Sequence, residues 1–137
     1  MARKIGSHAF HLYASKAYWR RRPRGRSLEG HDLIGFCDEL SAIPPAKWLE
    51  QQRPRARVSL RTNSLLSAAE AARGGWGITA LPDFVAEEKS ELVRMSENPV
   101  GGIDFWIIVH PDLQHVARVR AVIDHLTATM RSRGLAA

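Results

Sequence analysis

Arg57-Val-Ser-Leu-Arg-Thr-Asn-Ser-Leu-Leu-Ser-Ala-Ala-Glu-Ala-Ala-Arg-Gly-Gly-Trp-Gly-Ile-Thr-Ala-Leu81 is the stretch that decides the fold. Its opening residues alternate, with Val58 and Leu60 on one face, the two-residue period of a strand. Thr62, Asn63 and Ser64 then offer capping side chains, and Leu65 to Arg73 is rich in the strong helix formers Ala and Leu. Gly74-Gly75 supplies a left-handed stop, after which Trp76 to Leu81 reads as a second strand. Strand, helix and strand in that order make the unit of parallel α/β sheets, where ligands gather at the carboxyl ends of the strands.

Upstream, Phe10, Leu12 and Ala14 alternate with His11 and Tyr13, so a half-buried strand is expected. Ser15 stands where an N-cap would open a short helix from Lys16 to Arg21, which Pro23 and Gly25 end. Ser27-Leu-Glu29 can form one helical turn, Leu33 to Cys37 has the length of a buried strand, and Ala46 to Gln52 follows Pro44-Pro45 as a short helix. Downstream, Pro82-Asp83 begins a short helix to about Lys89, Leu92 to Met95 is an extended link, and Ser96 to Gly102 is turn-forming. Phe105-Trp-Ile-Ile-Val109 predicts a buried strand from its unbroken apolar run. A helix from about His115 to Arg131 follows, with Val116, Val119, Val122, Ile123, Leu126 and Met130 on one stripe.

A chain of 137 residues, 45% apolar and 25% charged, suits about one folded unit with a modest core. No run approaches the roughly eighteen apolar residues of a membrane span. Met1-Ala-Arg-Lys-Ile-Gly-Ser-His8 lacks the apolar core of a signal peptide, so a cytoplasmic location away from membranes is expected. Cys37 is the only cysteine, which excludes an internal disulfide and reads as a small core residue. The four tryptophans, Trp19, Trp48, Trp76 and Trp106, are expected to pack. The formal charge is +6, and the cations cluster at Lys16, Arg20, Arg21, Arg22, Arg24 and Arg26 and again at Arg53, Arg55, Arg57 and Arg61. Tyr18 and Trp19 inside the first cluster keep open a second reading, a basic module that binds nucleic acid or a partner.

Motifs for enzymatic chemistry are missing. There is no Gly-x-Ser-x-Gly, no His-Glu-x-x-His and no Gly-x-x-x-x-Gly-Lys-Ser/Thr. Gly74-Gly-Trp-Gly77 follows a helix and precedes a strand, the wrong order for a dinucleotide loop. The pairs His8/His11 and His110/His115 lack a third ligand at metal-binding spacing, and His31-Asp32 lacks a nucleophile, so no catalytic residue, metal or cofactor is expected. Thr62, Asn63 and Ser64 form the principal candidate site. A helix starting there turns free N–H groups and its positive dipole end toward a small anion, although one of the three is needed as the cap. Tyr13, Ser15 and Thr79, near strand ends, are further candidates.

In order along the chain, these segments resemble the effector-binding domain of LysR-type transcriptional regulators. Leu12-Tyr-Ala-Ser15 with Tyr18 resembles the family's Ala-Ser-Pro-x-Tyr-Leu entry, with Lys16 and Trp19 in place of Pro and Leu. Ser27-Leu-Glu-Gly-His-Asp-Leu-Ile34 resembles the Leu-x-x-His segment that follows. Arg57-Val58, Thr62-Asn-Ser64, Ala68-Ala-Glu-Ala-Ala-Arg-Gly-Gly-Trp-Gly-Ile78 and Leu81-Pro82 resemble the central strand, helix and strand. Trp106-Ile-Ile-Val-His-Pro111 and Val119-Arg-Ala-Val-Ile123 resemble the last strand and helix. The resemblance implies an α/β fold like type 2 periplasmic binding proteins, in which two subdomains joined by crossing strands hold the ligand in a cleft. By that analogy residues 1–14 are a crossover strand, 15–91 a complete Rossmann-like second subdomain, and 92–137 the returning strand and helix of a truncated first subdomain. It further implies a small-molecule effector, an anionic metabolite, and a homodimer. DNA would be contacted only through a helix-turn-helix absent from these residues.

The expected result for DNA follows from that absence and from basic clusters placed on the short helices and strands of a sensor fold. In a mobility-shift assay at physiological salt the 137-residue chain should show no sequence-selective complex. Nanomolar, sequence-selective retardation would establish the second reading instead.

Overall fold

The strand expected around Phe10 runs much further, from Ala2 to Ser15 (β1). The computed structural model describes residues 1–22 and 27–136, and within it the chain divides into two units, Ala9–Gly102 and a smaller one of Met1–His8 with Ile103–Ala137. After β1 come α1 (Lys16–Arg21), β2 (Asp32–Phe36), a 3-10 turn at Asp38–Ala42, α2 (Pro44–Gln51), β3 (Arg57–Thr62) and α3 (Leu65–Arg73). β4 (Thr79–Pro82), α4 (Asp83–Ala86), β5 (Leu92–Arg94), β6 (Gly101–Ile108), a second 3-10 turn at Pro111–Leu113 and α5 (Ala117–Ser132) complete the order. The stop expected at Pro23 and Gly25 lies outside the described residues.

In the larger unit β2 and β3 pair in parallel, from Asp32 opposite Arg57 to Phe36 opposite Thr62. Ile78 joins the other edge of β2 as a parallel bridge to Leu33, through Ile78 N–H to Asp32 O at 2.9 Å and Ile34 N–H to Ile78 O at 2.8 Å. The chain then leaves this sheet. β4 pairs antiparallel with β1, Tyr13 opposite Thr79 and Phe10 opposite Pro82. β5 takes the other edge of β1, with Ser15 opposite Leu92 and Tyr13 opposite Arg94. The expected strand from Trp76 is therefore shorter, and Trp76 itself is 62% exposed. Leu92 to Arg94 is a paired strand rather than a link. Ser27-Leu-Glu29 forms no helical turn, and α4 ends at Ala86 instead of continuing to Lys89.

The core of this unit is Phe10, Leu33, Ile34, Leu49, Ile78 and Leu81, all fully buried, and each such side chain contributes roughly 1.5–3 kcal/mol on leaving water. α3 buries Ala68, Ala69 and Ala72, small residues that let the helix lie close to the sheet. His11 and Tyr13 correct the reading of a half-buried strand: both are buried, because Asp83 at the start of α4 covers their face and bonds to both.

In the smaller unit Gly6 is buried, and a Cβ there would meet Leu135 O at 2.1 Å. Ser7 N–H donates to Leu135 O at 2.9 Å, and Lys4 pairs with Asp104 at 2.9 Å. β6 also pairs with β1, but it is not the buried strand its apolar run predicts. Its side chains alternate, leaving Trp106 56% and Ile108 80% exposed. Of the apolar stripe on α5 only Ile123 is buried, while Val122 and Leu126 are exposed. An apolar run reports strand propensity; it does not report which faces find cover. Trp19 and Trp48 are half-buried and Trp76 and Trp106 exposed, so none is the packed core residue expected, and Cys37 is likewise only half-buried.

The junction where the chain changes sheets rests on Gly77, whose φ is +152° and whose added Cβ would meet Asp32 O at 2.4 Å. Backbone at that distance cannot move aside without breaking the Asp32–Ile78 bond. Gly77→Ala is expected to destabilise the fold by about 1–3 kcal/mol. Urea unfolding should show this as a lower midpoint at unchanged slope.

Candidate functional site

At the end of β3 the Thr62 carbonyl accepts from Cys37 N–H at 3.0 Å, which ties the strand end to the neighbouring loop. Thr62 Oγ1 accepts from Ser64 N–H at 3.2 Å, and Ser64 Oγ accepts from Ser67 N–H at 3.2 Å. Ser64, in extended conformation at φ −137°, is therefore the N-cap of α3. Asn63 between them is exposed. The amides of Leu65 and Leu66, the first two of the helix, have no intrahelical acceptor, as helix geometry requires.

The other three candidates have structural duties. Ser15 is buried and caps α1, accepting from Tyr18 N–H at 3.0 Å. Thr79 is fully buried and donates to Ile34 O at 2.9 Å. Tyr13 donates to Asp83 at 2.6 Å. The register of β1 and β4 sets Tyr13 beside Thr79, with Ser15 two residues along. Among the described residues no side-chain hydrogen bond joins this group to Thr62, Asn63 or Ser64.

A cluster that the sequence reading missed surrounds Asp83. His11 Nδ1 lies 2.8 Å from Oδ1, the Tyr13 hydroxyl 2.6 Å from the same oxygen, and Arg94 Nη2 3.0 Å from Oδ2. Burial alone would raise the carboxyl; the hydrogen bonds from Tyr13 and His11 and the nearby charges outweigh it and hold Asp83 below its ordinary range. The signal was available: His11 and Tyr13 are two apart on a strand and so share a face. By sequence Asp83 reads only as the start of a short helix.

Two cavities open on the larger unit. One, of about 470 Å³, is walled by Trp19, His31, Trp48 and the Met95–Val100 segment over a floor of Leu12 and Ile78. The other is an open basic depression of about 600 Å³ around Asp32. None of the six candidate residues lines either. Among the described residues of the basic clusters several arginines have partners: Asp32 pairs with Arg22 and, at 3.1 Å, with Arg57, and Glu50 pairs with Arg61 at 2.9 Å. Among the described residues no group of three His, Cys, Asp or Glu side chains is placed to hold a metal, and no helix is long and apolar enough to cross a membrane.

The family model of the LysR substrate binding domain matches residues 1–131. The chain is similar to the regulatory domain of CrgA, a LysR-type transcriptional regulator from Neisseria meningitidis, with TM-score 0.73 and 19% identity over 94% of this chain and 68% of that one. It is similar to the regulatory domain of AphB from Vibrio vulnificus treated with cumene hydroperoxide, with TM-score 0.67 and 25% identity over 93% and 69%. It is also similar to the CcmR regulatory domain of Synechocystis in complex with 2-PG, with TM-score 0.65 and 19% identity over 94% and 66%. The chain thus spans about two thirds of each of these domains. No curated protein matches it by sequence.

Tyr13 and Tyr18 are the two tyrosines of the chain, and both are buried. Burial, then the hydrogen bond to Asp83, pushes the Tyr13 phenol up to about 12, and burial raises Tyr18 as well. A phenol held above its ordinary 10.0 adds stability that is fully present below pH 10 and is lost as pH rises toward 12. At pH 10 the native protein should show no more than about half the tyrosinate absorbance of the urea-unfolded chain. Equal absorbance in the two states would mean that both phenols are open to water.

Proposed function

Given that this chain belongs to the LysR substrate binding domain family, we propose that it senses a small anionic metabolite at the junction of β3 and α3, with Thr62, Asn63 and Ser64 as its contacts. The observation that carries this reading is the start of α3. Ser64 alone does the capping, so Asn63 and the amides of Leu65 and Leu66 remain to meet a ligand. A regulatory domain of this fold in complex with 2-PG supports a small ligand, and the charge of +6 supports an anionic one. Tyr13, Ser15 and Thr79 serve the site by holding the ends of β1 and β4.

On this reading the chain signals and does not catalyse, and it works in the cytoplasm. Residues 15–91 are assigned to the second subdomain, 92–137 to the return into the first, and 1–14 to the crossing strand. Trp106, Ile108, Val122 and Leu126, large apolar side chains left exposed, favour a homodimer. DNA would be bound by a helix-turn-helix carried outside these residues.

Calorimetry with a panel of small aromatic and aliphatic carboxylates tests the site. The effector should outbind its neutral amide analogue, and Thr62→Val should weaken it about tenfold by removing one hydrogen bond to a charged group. Ser64→Ala should cost about 1 kcal/mol of stability through the cap, whereas Asn63→Ala should leave stability unchanged. Carboxylate affinity unaltered by both Thr62→Val and Asn63→Ala would place the ligand elsewhere and leave the triplet as a cap.

A further inference from the structure

We propose that the cavity beside α1, α2 and the Met95–Val100 segment is a second ligand site, which takes a flat aromatic carboxylate. It is independent of the β3–α3 junction, since none of Thr62, Asn63 and Ser64 lines it. At about 470 Å³ it falls in the range of roughly 300–1,000 Å³ typical of small-molecule sites.

Its walls are aromatic and ordered. Trp19 lies parallel to the His31 ring, 11° between planes and 6.2 Å between centroids. His31 is buried and bonded to the Tyr18 hydroxyl at 3.0 Å, so the orientation of the Trp19 indole is set before any ligand arrives. Trp48 enters from α2, half-buried. Two indoles that are not consumed by the core, above the apolar floor of Leu12 and Ile78, suit a flat ring system.

The rim supplies the charge. Arg55 lines the cavity and is exposed, and its backbone is pinned by Arg55 N–H to Gln52 O at 2.8 Å and Gly30 N–H to Arg55 O at 3.1 Å. Its neighbours Arg53 and Arg57 are paired with Glu50 and Asp32. Arg55 has no ion pair among the described residues, which leaves its planar fork of donors open to a carboxylate. Glu97 also lines the opening and would oppose an anion. Arg55, the arginine at this opening without an ion pair among the described residues, is the group that favours the acid.

The test is calorimetry on the full chain with 2-naphthoate, its neutral amide and the corresponding naphthylmethylammonium ion. Saturable binding of the acid is expected, with the amide at least about tenfold weaker. Arg55→Gln should weaken the acid by about ten- to a hundredfold, as for a hydrogen bond to a charged group, and leave the amide unchanged. Trp48→Leu, checked for folding by circular dichroism, should weaken acid and amide alike. Thr62→Val should alter neither, so failure here and failure of the β3–α3 reading are separable. The proposal is overturned by absence of saturable binding, by an amide as tight as the acid, by tighter binding of the cation, by indifference to Arg55→Gln, or by loss of binding in Thr62→Val.

Discussion

Backbone pairing along β1 is the constraint on which the rest of the structure depends. A strand of 14 residues carries a row of donors and acceptors on each edge, and those that are buried must be paired. The sequence meets this demand segment by segment: β4 on one edge, β5 on the other, and β6 as a further partner. Once that register is set, every side chain of the strand has its face assigned. His11 and Tyr13 turn toward Asp83, while Leu12, on the opposite face, forms part of the cavity floor. Residues 1–8 and 9–15 of this one strand also belong to different units, so β1 is a structural member of both.

The Asp83 cluster shows how a charged group is tolerated where the strand is buried. An ionised carboxyl taken out of water without partners is expensive, and here three side chains from two strands replace the water. The cluster forms at the point where β4 passes directly into α4, so it also ties that corner to β1 and β5. Such a group contributes to specificity of arrangement as much as to stability, since removing any one partner leaves the remaining charge under-compensated. Tyr18, His31 and Trp19 form a second such network: the Tyr18 hydroxyl bonds to His31 and accepts from Asp32 N–H at 3.0 Å, and His31 in turn stacks against the indole.

The positive balance of the chain acquires a different meaning once its partners are known. Most arginines of the two clusters that lie in the described residues sit against Asp32, Glu50 or a main-chain carbonyl. Exposed pairs such as Arg61–Glu50 contribute only about 0–1 kcal/mol each. They do decide where uncommitted charge remains. A basic face that tracks a phosphate backbone needs many free cations in a row, and among the described residues Arg22, Arg57 and Arg61 are paired locally instead. Effector sensing, the role of the family to which the chain belongs, needs no such row.

Local chemistry was legible in the residues alone. Helices Lys16–Arg21 and Leu65–Arg73, the strand from Arg57 to Arg61, a serine cap at position 15 and a cap somewhere in Thr62–Ser64, which the structure decides in favour of Ser64, follow from period, propensity and capping. So did the α/β class and the family, because the order of those segments is itself a property of the sequence. Tertiary structure alone decided what depends on neighbours distant in the chain. Only there did β4 leave the parallel sheet for the edge of β1, did Asp83 meet His11 and Tyr13 across some seventy residues, and did Arg55 arrive at the mouth of a cavity lined from six separate segments. The physical reason is that hydrogen-bond periodicity acts over one turn or one pleat, whereas burial is set by whichever surface comes to lie opposite. The exposed Trp106 and Ile108 carry the same apolar pattern as the buried Leu33 and Ile34, and they differ only in what covers them.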